Sequence, residues 1–400
     1  MNSTGDQSGP SLSAAVIGTG FIGPVHVEAL RRAGIPVQGI LGSSEEKSKT
    51  AATELGIPKG YRSLVELLED DSVSVVHVTT PNQFHFEQVS ALVSAGKHVL
   101  CEKPLAMNSD QTTALMRLAN ENNVVAGVAY NIRFYPLCHH AADLAKSNRL
   151  GQVLHVHGSY TQDWLLKPTD FNWRVVSSEG GELRAVADIG THWLDLIQFI
   201  VGEKVTSVFA DLRTVYPHRF PAEGSIETFS GKTAGADVEP ASASSSVEID
   251  TEDCGSVLLR FAGGANGCLW VSQTTAGRKN CLRYEIAGTE QSLAWNSELP
   301  NNLRVGHRDL PNENLIRDPA LMSSKAATIA NYPGGHNEGF PDTFKQLFKT
   351  FYSYIAAGDF QAQRPFPTFE DGHYEVLICE AILKSHREQR WIEVGESECN

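Results

Sequence analysis

Two short stretches carry side chains at spacings that suit proton transfer. In Asp188-Ile189-Gly190-Thr191-His192 the carboxylate and the imidazole are four residues apart, so a helix sets them on one face, one turn above the other. A carboxylate beside an imidazole orients it and raises its pKa toward neutrality, which suits proton exchange with a hydroxyl. An Asp that caps a helix beside a packed His fits the same spacing. Asp195 falls on the same side, next to an apolar stripe of Ile189, Trp193, Leu196 and Ile200. The second stretch, Cys101-Glu102-Lys103-Pro104, follows a strand-like run. A lysine at the carboxyl end of a parallel strand points into the crevice where open α/β sheets bind ligands. Pro104 disfavours helical geometry at Lys103. Most lysines are solvated surface charges, so Lys103 gains meaning only with a partner.

A third stretch offers backbone rather than side chains. The run Ala14–Gly18 leads into Gly18-Thr19-Gly20-Phe21-Ile22-Gly23 and then a helix. Gly18 permits the tight turn, Gly20 lets a pyrophosphate approach, and Gly23 allows close packing of helix on strand. Thr19, Phe21 and Ile22 complete the expected cradle, where the helix presents unpaired N–H groups and the positive end of its dipole. The pattern points to a dinucleotide. NAD sites usually close the second strand with Asp or Glu on the ribose 2′-OH. Here that strand ends in Leu41-Gly42-Ser43-Ser44, with Lys47 following. Without a carboxylate to repel a 2′-phosphate, and with Ser43, Ser44 and Lys47 able to donate to it, NADP is favoured over NAD.

The elements that must hold these groups follow from apolar periodicity. Strand-like runs at 14–18, 37–41, 73–79, 99–101 and 124–129 alternate with helical stretches at 24–33, 45–55, 63–68, 84–95 and 109–120. Apolar strands alternating with helices indicate a parallel sheet covered on both faces. After Tyr135 the runs at 153–160, 205–213, 256–261, 267–273 and 283–287 alternate with period two, and helices are few: 188–201, 342–357 and 372–387. The expected fold is therefore α/β plus α+β. An N-terminal doubly wound parallel sheet over 11–134 is followed by a domain over 135–400, built on a large, mostly antiparallel open sheet with helices on one face. Residues 1–10 read as a polar tail without the basic region of a signal peptide. The Ser-, Ala-, Gly- and Pro-rich stretch 218–252 reads as a long surface loop with a short strand near 247–249.

Composition restricts the partners. With 33 Lys plus Arg against 47 Asp plus Glu the chain carries a formal charge of -14, which opposes broad binding to nucleic acid or anionic membrane. No apolar run reaches the roughly 18–20 residues that span a bilayer. The seven cysteines are scattered without a C-x-x-C pair, as in a reduced cytoplasmic protein. The 14 histidines show no ligand set at metal-binding spacing, so no metal is expected.

Taken together, the glycine turn, Glu102-Lys103-Pro104 and Asp188…His192 resemble the Gfo/Idh/MocA family of glucose–fructose oxidoreductase, inositol dehydrogenase and their relatives. The resemblance runs along nearly the whole chain. It includes Thr80-Pro81-Asn82 with His85, and Tyr130-Asn131-Ile132-Arg133-Phe134. It implies a Rossmann domain and hydride transfer between a nicotinamide and a secondary alcohol of a sugar, glycoside or polyol. On that resemblance Lys103 polarises the reacting oxygen, His192 is the general base or acid, and Asp188 contacts a hydroxyl or tunes its neighbours. Thr80, Pro81, Asn82, His85 and Glu102 would line the nucleotide, with Asn131 and Arg133 at the nicotinamide edge. Relatives associate through the open sheet face, so a homodimer or homotetramer is expected. Two other activities fit the same framework: glycoside cleavage with a retained, internally recycled cofactor, and a non-catalytic dinucleotide sensor. Intact Lys103 and His192 argue against the sensor.

Two further segments bear on the substrate. Gln162-Asp163-Trp164 and Trp173-Arg174 join aromatic faces to polar groups, a combination that suits a pyranose. Packed tryptophans at a domain contact would show the same residues. In Pro333-Gly334-Gly335-His336, a glycine-rich loop presents a histidine that can reach a substrate or simply enter the next helix.

Overall fold

In the computed structural model, which describes residues 12–220 and 246–395, the first half follows the expected alternation. Its elements are β1 (Ala14–Ile17), α1 (Ile22–Arg32), β2 (Val37–Leu41), α2 (Glu45–Leu55), β3 (Lys59–Gly60), α3 (Leu64–Leu68), β4 (Val75–Val78), α4 (His85–Ser94), β5 (His98–Cys101), α5 (Ser109–Glu121) and β6 (Ala126–Val128). The strands form one parallel sheet in the order β3-β2-β1-β4-β5-β6. Every residue of β1 and β4 is buried, because helices cover both faces and leave no strand side for polar residues. Strand β3 was not anticipated. Its two residues hold no apolar run, and neighbouring β2 dictates the pairing.

The second half continues with α6 (Pro136–Lys146), β7 (Val153–Thr161), α7 (Ser177–Gly180), α8 (Thr191–Val201), β8 (Val205–Arg213), β9 (His218–Arg219), β10 (Val247–Glu248), β11 (Cys254–Phe261), β12 (Asn266–Ser272), β13 (Cys281–Gly288), β14 (Ser292–Asn296), β15 (Asn302–Gly306), β16 (Glu313–Ile316), α9 (Ser324–Ala327), α10 (Phe340–Ala357), α11 (Phe369–Glu388) and β17 (Ile392–Glu393). Nine strands make a sheet in the order β16-β15-β14-β13-β7-β12-β11-β8-β17. All its neighbours run antiparallel except β7 with β12. In β11, Val257, Leu259 and Phe261 are buried while Ser256, Leu258 and Arg260 are exposed. That period of two leaves one face for helices and one open. Helix α6, also unanticipated, starts on Pro136, whose fixed φ suits a first helical position.

Helix α10 corrects one expectation. Rather than covering the second sheet, it packs on the first: Phe344, Leu347, Phe348, Phe351 and Tyr352 share a core cluster with Val16, Val27, Leu30 and Leu100. Each such side chain moved out of water contributes about 1.5–3 kcal/mol, so α10 fastens the end of the chain to its beginning. Helix α11 lies on β8 and also touches α5 and β6. Residues 1–10 and most of the 218–252 stretch lie outside the described residues, although β9 and β10 pair at its two ends.

Candidate active site

The loop after β5 carries Lys103 from the end of the parallel sheet to Asp188, on the segment that leads into α8. Lys103 Nζ donates to the Asp188 carbonyl oxygen at 2.7 Å and to Asp188 Oδ1 at 2.8 Å. Asp188 lies in a π-helical turn, Val186–Gly190, that leads directly into α8. The wider turn changes the expected geometry. No hydrogen bond joins Asp188 to His192 among the described residues; Asp188 turns to Lys103, to Arg174 Nε at 3.4 Å and to Gln273 Nε2 at 2.9 Å. Single π turns inside helices occur frequently at functional sites.

Charges around this centre sort the protonation states. Burial would raise the Asp188 pKa, but the positive charges of Lys103 and Arg174 outweigh it and hold the carboxyl well below its usual range. His192 moves opposite to the expectation: burial first, then Lys103, pushes it down to about 3, against a smaller pull upward from Glu102 and Asp188. It is a neutral base at physiological pH, and its Nδ1 has no hydrogen-bond partner among the described residues. The rings of Tyr130 and Tyr160 flank it, with centroids 5.7 and 6.3 Å away.

The two tryptophan-bearing segments converge here in part. Arg174 lies over the rings of Trp173 and Trp164, 4.4 and 5.5 Å from their centroids. Gln162 donates to Asn280 Oδ1 at 2.8 Å, while its own Oε1 is buried without a partner. Gln273 is in the same condition: its amide nitrogen holds Asp188, and its Oε1 has none. Three buried polar atoms without partners around one ion pair mark a place shaped for a polar ligand.

The glycine turn fits a dinucleotide. Gly18 has φ +113°, and a side chain there would collide with Thr79. A Cβ on Gly23 would overlap the Gly18 carbonyl oxygen. Around Gly20 a Cβ would meet nothing within 4 Å, so its backbone is open to a phosphate. At the end of β2, Gly42 donates to Ser48 Oγ at 2.8 Å, and Ser44 caps α2 by accepting from the Lys47 N–H. Ser43 and Lys47 are exposed.

Residues 12–130 match a family model described as an oxidoreductase family with an NAD-binding Rossmann fold, and 138–294 match the GFO/IDH/MocA C-terminal domain. The chain belongs to the Gfo/Idh/MocA oxidoreductase family. It is 28% identical over 398 residues to levoglucosan dehydrogenase of Pseudarthrobacter phenanthrenivorans, covering 96% of this chain and 99% of the relative. A solved structure of levoglucosan dehydrogenase in complex with NADH and levoglucosan superposes with a TM-score of 0.84 at 28% identity, over 96% of this chain and all of that one. An oxidoreductase domain protein from Kribbella flavida gives a TM-score of 0.86 at 29% identity with the same coverage.

Within this Gfo/Idh/MocA chain, several expected site residues have other engagements. His85 is fully buried, with its ring nitrogens 2.8 Å from the Thr80 and Pro104 carbonyl oxygens, so it braces the lysine loop. Thr80 Oγ1 donates to Gln88, and Asn82, beside Pro81, donates to the Gly180 carbonyl across the domain junction. Asn131 donates to Thr343 on α10 at 2.7 Å. Arg133 forks onto Asp195 and lies 3.6 Å from Asp371. Asp163 turns to Lys279 and the Gly277 N–H. The side chain of His336 is exposed, with its own carbonyl held by Arg317. None of these contacts reaches Lys103. Gln273 and Asn280 were missed by sequence reasoning. Gln273, a polar residue closing the apolar alternation of β12, gave a weak signal, and Asn280 gave none.

Proposed function

We propose that this chain moves a hydride between a nicotinamide cofactor and a secondary hydroxyl or ketone of a sugar, glycoside or polyol. The observation that carries this reading is the Lys103–Asp188 pair ringed by the partnerless atoms of His192, Gln162 and Gln273. A dinucleotide held by its pyrophosphate at the glycine turn would supply the hydride acceptor or donor. The protein's own groups handle the proton and the oxygen. Two of the three Lys103 ammonium N–H groups are held by Asp188, and the third is left to donate to the reacting oxygen. Neutral His192 takes the hydroxyl proton in oxidation and returns it in reduction. Glu102 and Asp188 then offset the new charge on the imidazole. The Trp164 and Trp173 faces suit the C–H surface of a sugar ring, while Gln162 and Gln273 accept from its hydroxyls.

NADP is the proposed cofactor. Gly42 removes the ribose-binding acid, and exposed Ser43 and Lys47 stand at the start of α2, whose dipole favours a phosphate. The exposed Leu258 and Trp270 on the open face of the second sheet support association into a homodimer or homotetramer, which sedimentation measures directly.

One screen tests the function and the cofactor together. Levoglucosan, myo-inositol, pyranoses and glycosides are offered with NAD and with NADP, read by absorbance of the reduced cofactor. Turnover with at least one sugar, faster with NADP, is expected. On that substrate Lys103→Ala and His192→Ala should each cut kcat by about 10²–10⁴-fold and leave cofactor affinity nearly unchanged. Normal rates in both variants would sink the assignment.

A further inference from the structure

A line of four buried side chains leads away from the lysine loop. Glu102 Oε1 lies 3.0 Å from His26 Nε2, His26 Nδ1 lies 2.9 Å from His77 Nδ1, and His77 Nε2 lies 3.1 Å from the Tyr352 hydroxyl. They come from the loop after β5, from α1, from the middle of β4 and from α10, so folding alone assembles them. His26 and His77 have no exposed surface. Phe344 and Phe348 wall the imidazoles and bring no charge. Neither histidine belongs to the glycine turn or touches Lys103. A buried polar chain is tolerated only when every member is bonded, and this one is bonded from end to end.

Proton counting restricts what the chain can do. A nitrogen–nitrogen contact holds one proton between its two rings. With Glu102 ionised, Tyr352 O–H donates to His77 Nε2, His77 Nδ1–H donates to His26 Nδ1, and His26 Nε2–H donates to the carboxylate. One added proton, whether it rests on Glu102 or makes His26 an imidazolium, reverses the inner bonds. His26 Nδ1–H then donates to His77, and His77 Nε2–H donates to the Tyr352 oxygen. The other oxygen of Glu102 accepts from the Lys103 backbone N–H at 3.2 Å. Lys103, His192, His85 and Cys101 are the titratable groups that feel the Glu102 charge.

We propose that His26 and His77 are positioning residues for the catalytic loop: their chain to Tyr352 holds Glu102 as an oriented carboxylate, which seats the Lys103 backbone and supports a proton on His192. The proposal rests on the roles given above to Lys103 and His192. It agrees with the electrostatics, in which burial would raise the Glu102 pKa but the His26 bond and nearby positive charge bring it below the usual value. Burial holds His77 neutral, as a single proton on its ring requires.

The test removes the donor and then restores it. His26→Leu leaves Glu102 buried without its partner, whereas His26→Gln keeps an N–H near the position of Nε2. The ¹³C carboxyl signal of Glu102, assigned by its loss in Glu102→Gln, is followed against pH in the wild type and in both variants. It should titrate below the ordinary carboxylate value in the wild type and in His26→Gln, and well above it in His26→Leu. With levoglucosan or the sugar returned by the screen, kcat/KM of His26→Leu should fall about tenfold from pH 8 to pH 6, a limb that wild type and His26→Gln lack. Adding Glu102→Gln to His26→Leu should abolish the limb, because no carboxyl remains to titrate. His77→Leu should show the same trend more weakly. An unchanged Glu102 titration in His26→Leu overturns the proposal, even if Lys103→Ala remains inactive. Active Lys103→Ala with a shifted Glu102 titration would instead refute the roles assigned to the centre. A His26→Gln variant that behaves like His26→Leu would reduce His26 to packing and also overturn the proposal.

Discussion

Two buried cation–carboxylate pairs stand on the same helical segment and do opposite things. Asp188 meets Lys103 in the π turn, and Asp195, about two turns later, meets Arg133. In both, the cation comes from the first domain and the acid from the second. The lysine is a point charge with three donors, of which Asp188 uses two. The Arg133 guanidinium is a flat fork committed edge-on to Asp195, with Asp371 beside it. The electrostatics differ in the same sense. Asp188 is held well below the usual carboxylate range, while burial pushes Asp195 up to about 6 against the pull of Arg133. Around Asp188, polar atoms wait without partners. Beside Asp195, Gln198 donates to Glu375 Oε1, although Glu375 Oε2 has no partner among the described residues. A buried ion pair is therefore a poor indicator of a site by itself, and a cation that keeps a donor uncommitted, as Lys103 does and the forked Arg133 does not, is the better one.

Exchanging the two cations for methionine should separate these roles most widely. Lys103→Met should lose turnover by about 10³-fold, and its loss of stability should be the smaller one because Arg174 and Gln273 still hold Asp188. Arg133→Met leaves Asp195 buried and unpaired, so it should lose about 3–5 kcal/mol of stability by urea titration, while its folded fraction turns over normally. If Arg133→Met instead kept its stability and lost activity, the contrast would vanish. A smaller effect is expected at Gln273→Leu, which removes a hydrogen bond to Asp188 and an acceptor for substrate. Its kcat/KM should drop by about 10–100-fold at unchanged cofactor affinity, and a wild-type value would remove Gln273 from the site.

The smallest effect concerns acid stability. Between the ordinary histidine value of 6.5 and the folded value of about 3, the unfolded chain binds a proton at His192 that the folded chain does not. The stabilisation is full above about pH 6.5 and is lost as pH falls toward 3. His192→Gln should therefore shed less stability than wild type between pH 7 and pH 4.5, measured by denaturant midpoints. An identical slope would mean that His192 is not held neutral.

Much of the first domain was legible because its signals are local. Glycines at fixed offsets and short strands apolar throughout need no knowledge of distant residues, and the turn at Gly18 formed as its spacing demands. Lys103 was legible for the same reason, standing where a parallel strand ends. The second domain was harder. Strands β14 to β16 are short, and α6 carries Cys138, His139 and His140 on a face that the fold buries, so its apolar stripe was not evident. The site was half legible. Asp188 and His192 were singled out by their spacing, but the helix geometry that paired them was overridden by the π turn, which gives Asp188 to Lys103. Arg133 and Asn131, placed near the nicotinamide by the family resemblance alone, bond to Asp195 of α8 and Thr343 of α10, partners that no local pattern names.

By itself the sequence determined the kind of molecule: a glycine turn for a dinucleotide, a lysine at a strand end, and a carboxylate and an imidazole one turn apart. These depend on covalent order and on backbone rules that act over a few residues. Only the tertiary structure decided which groups face each other. It paired Asp188 with Lys103 rather than His192, kept His192 neutral by burial, folded α10 back onto the first sheet, and linked Glu102 through His26 and His77 to Tyr352. Charge and hydrogen bonding act through space, across separations such as the 275 residues between His77 and Tyr352, and no local pattern encodes such a meeting.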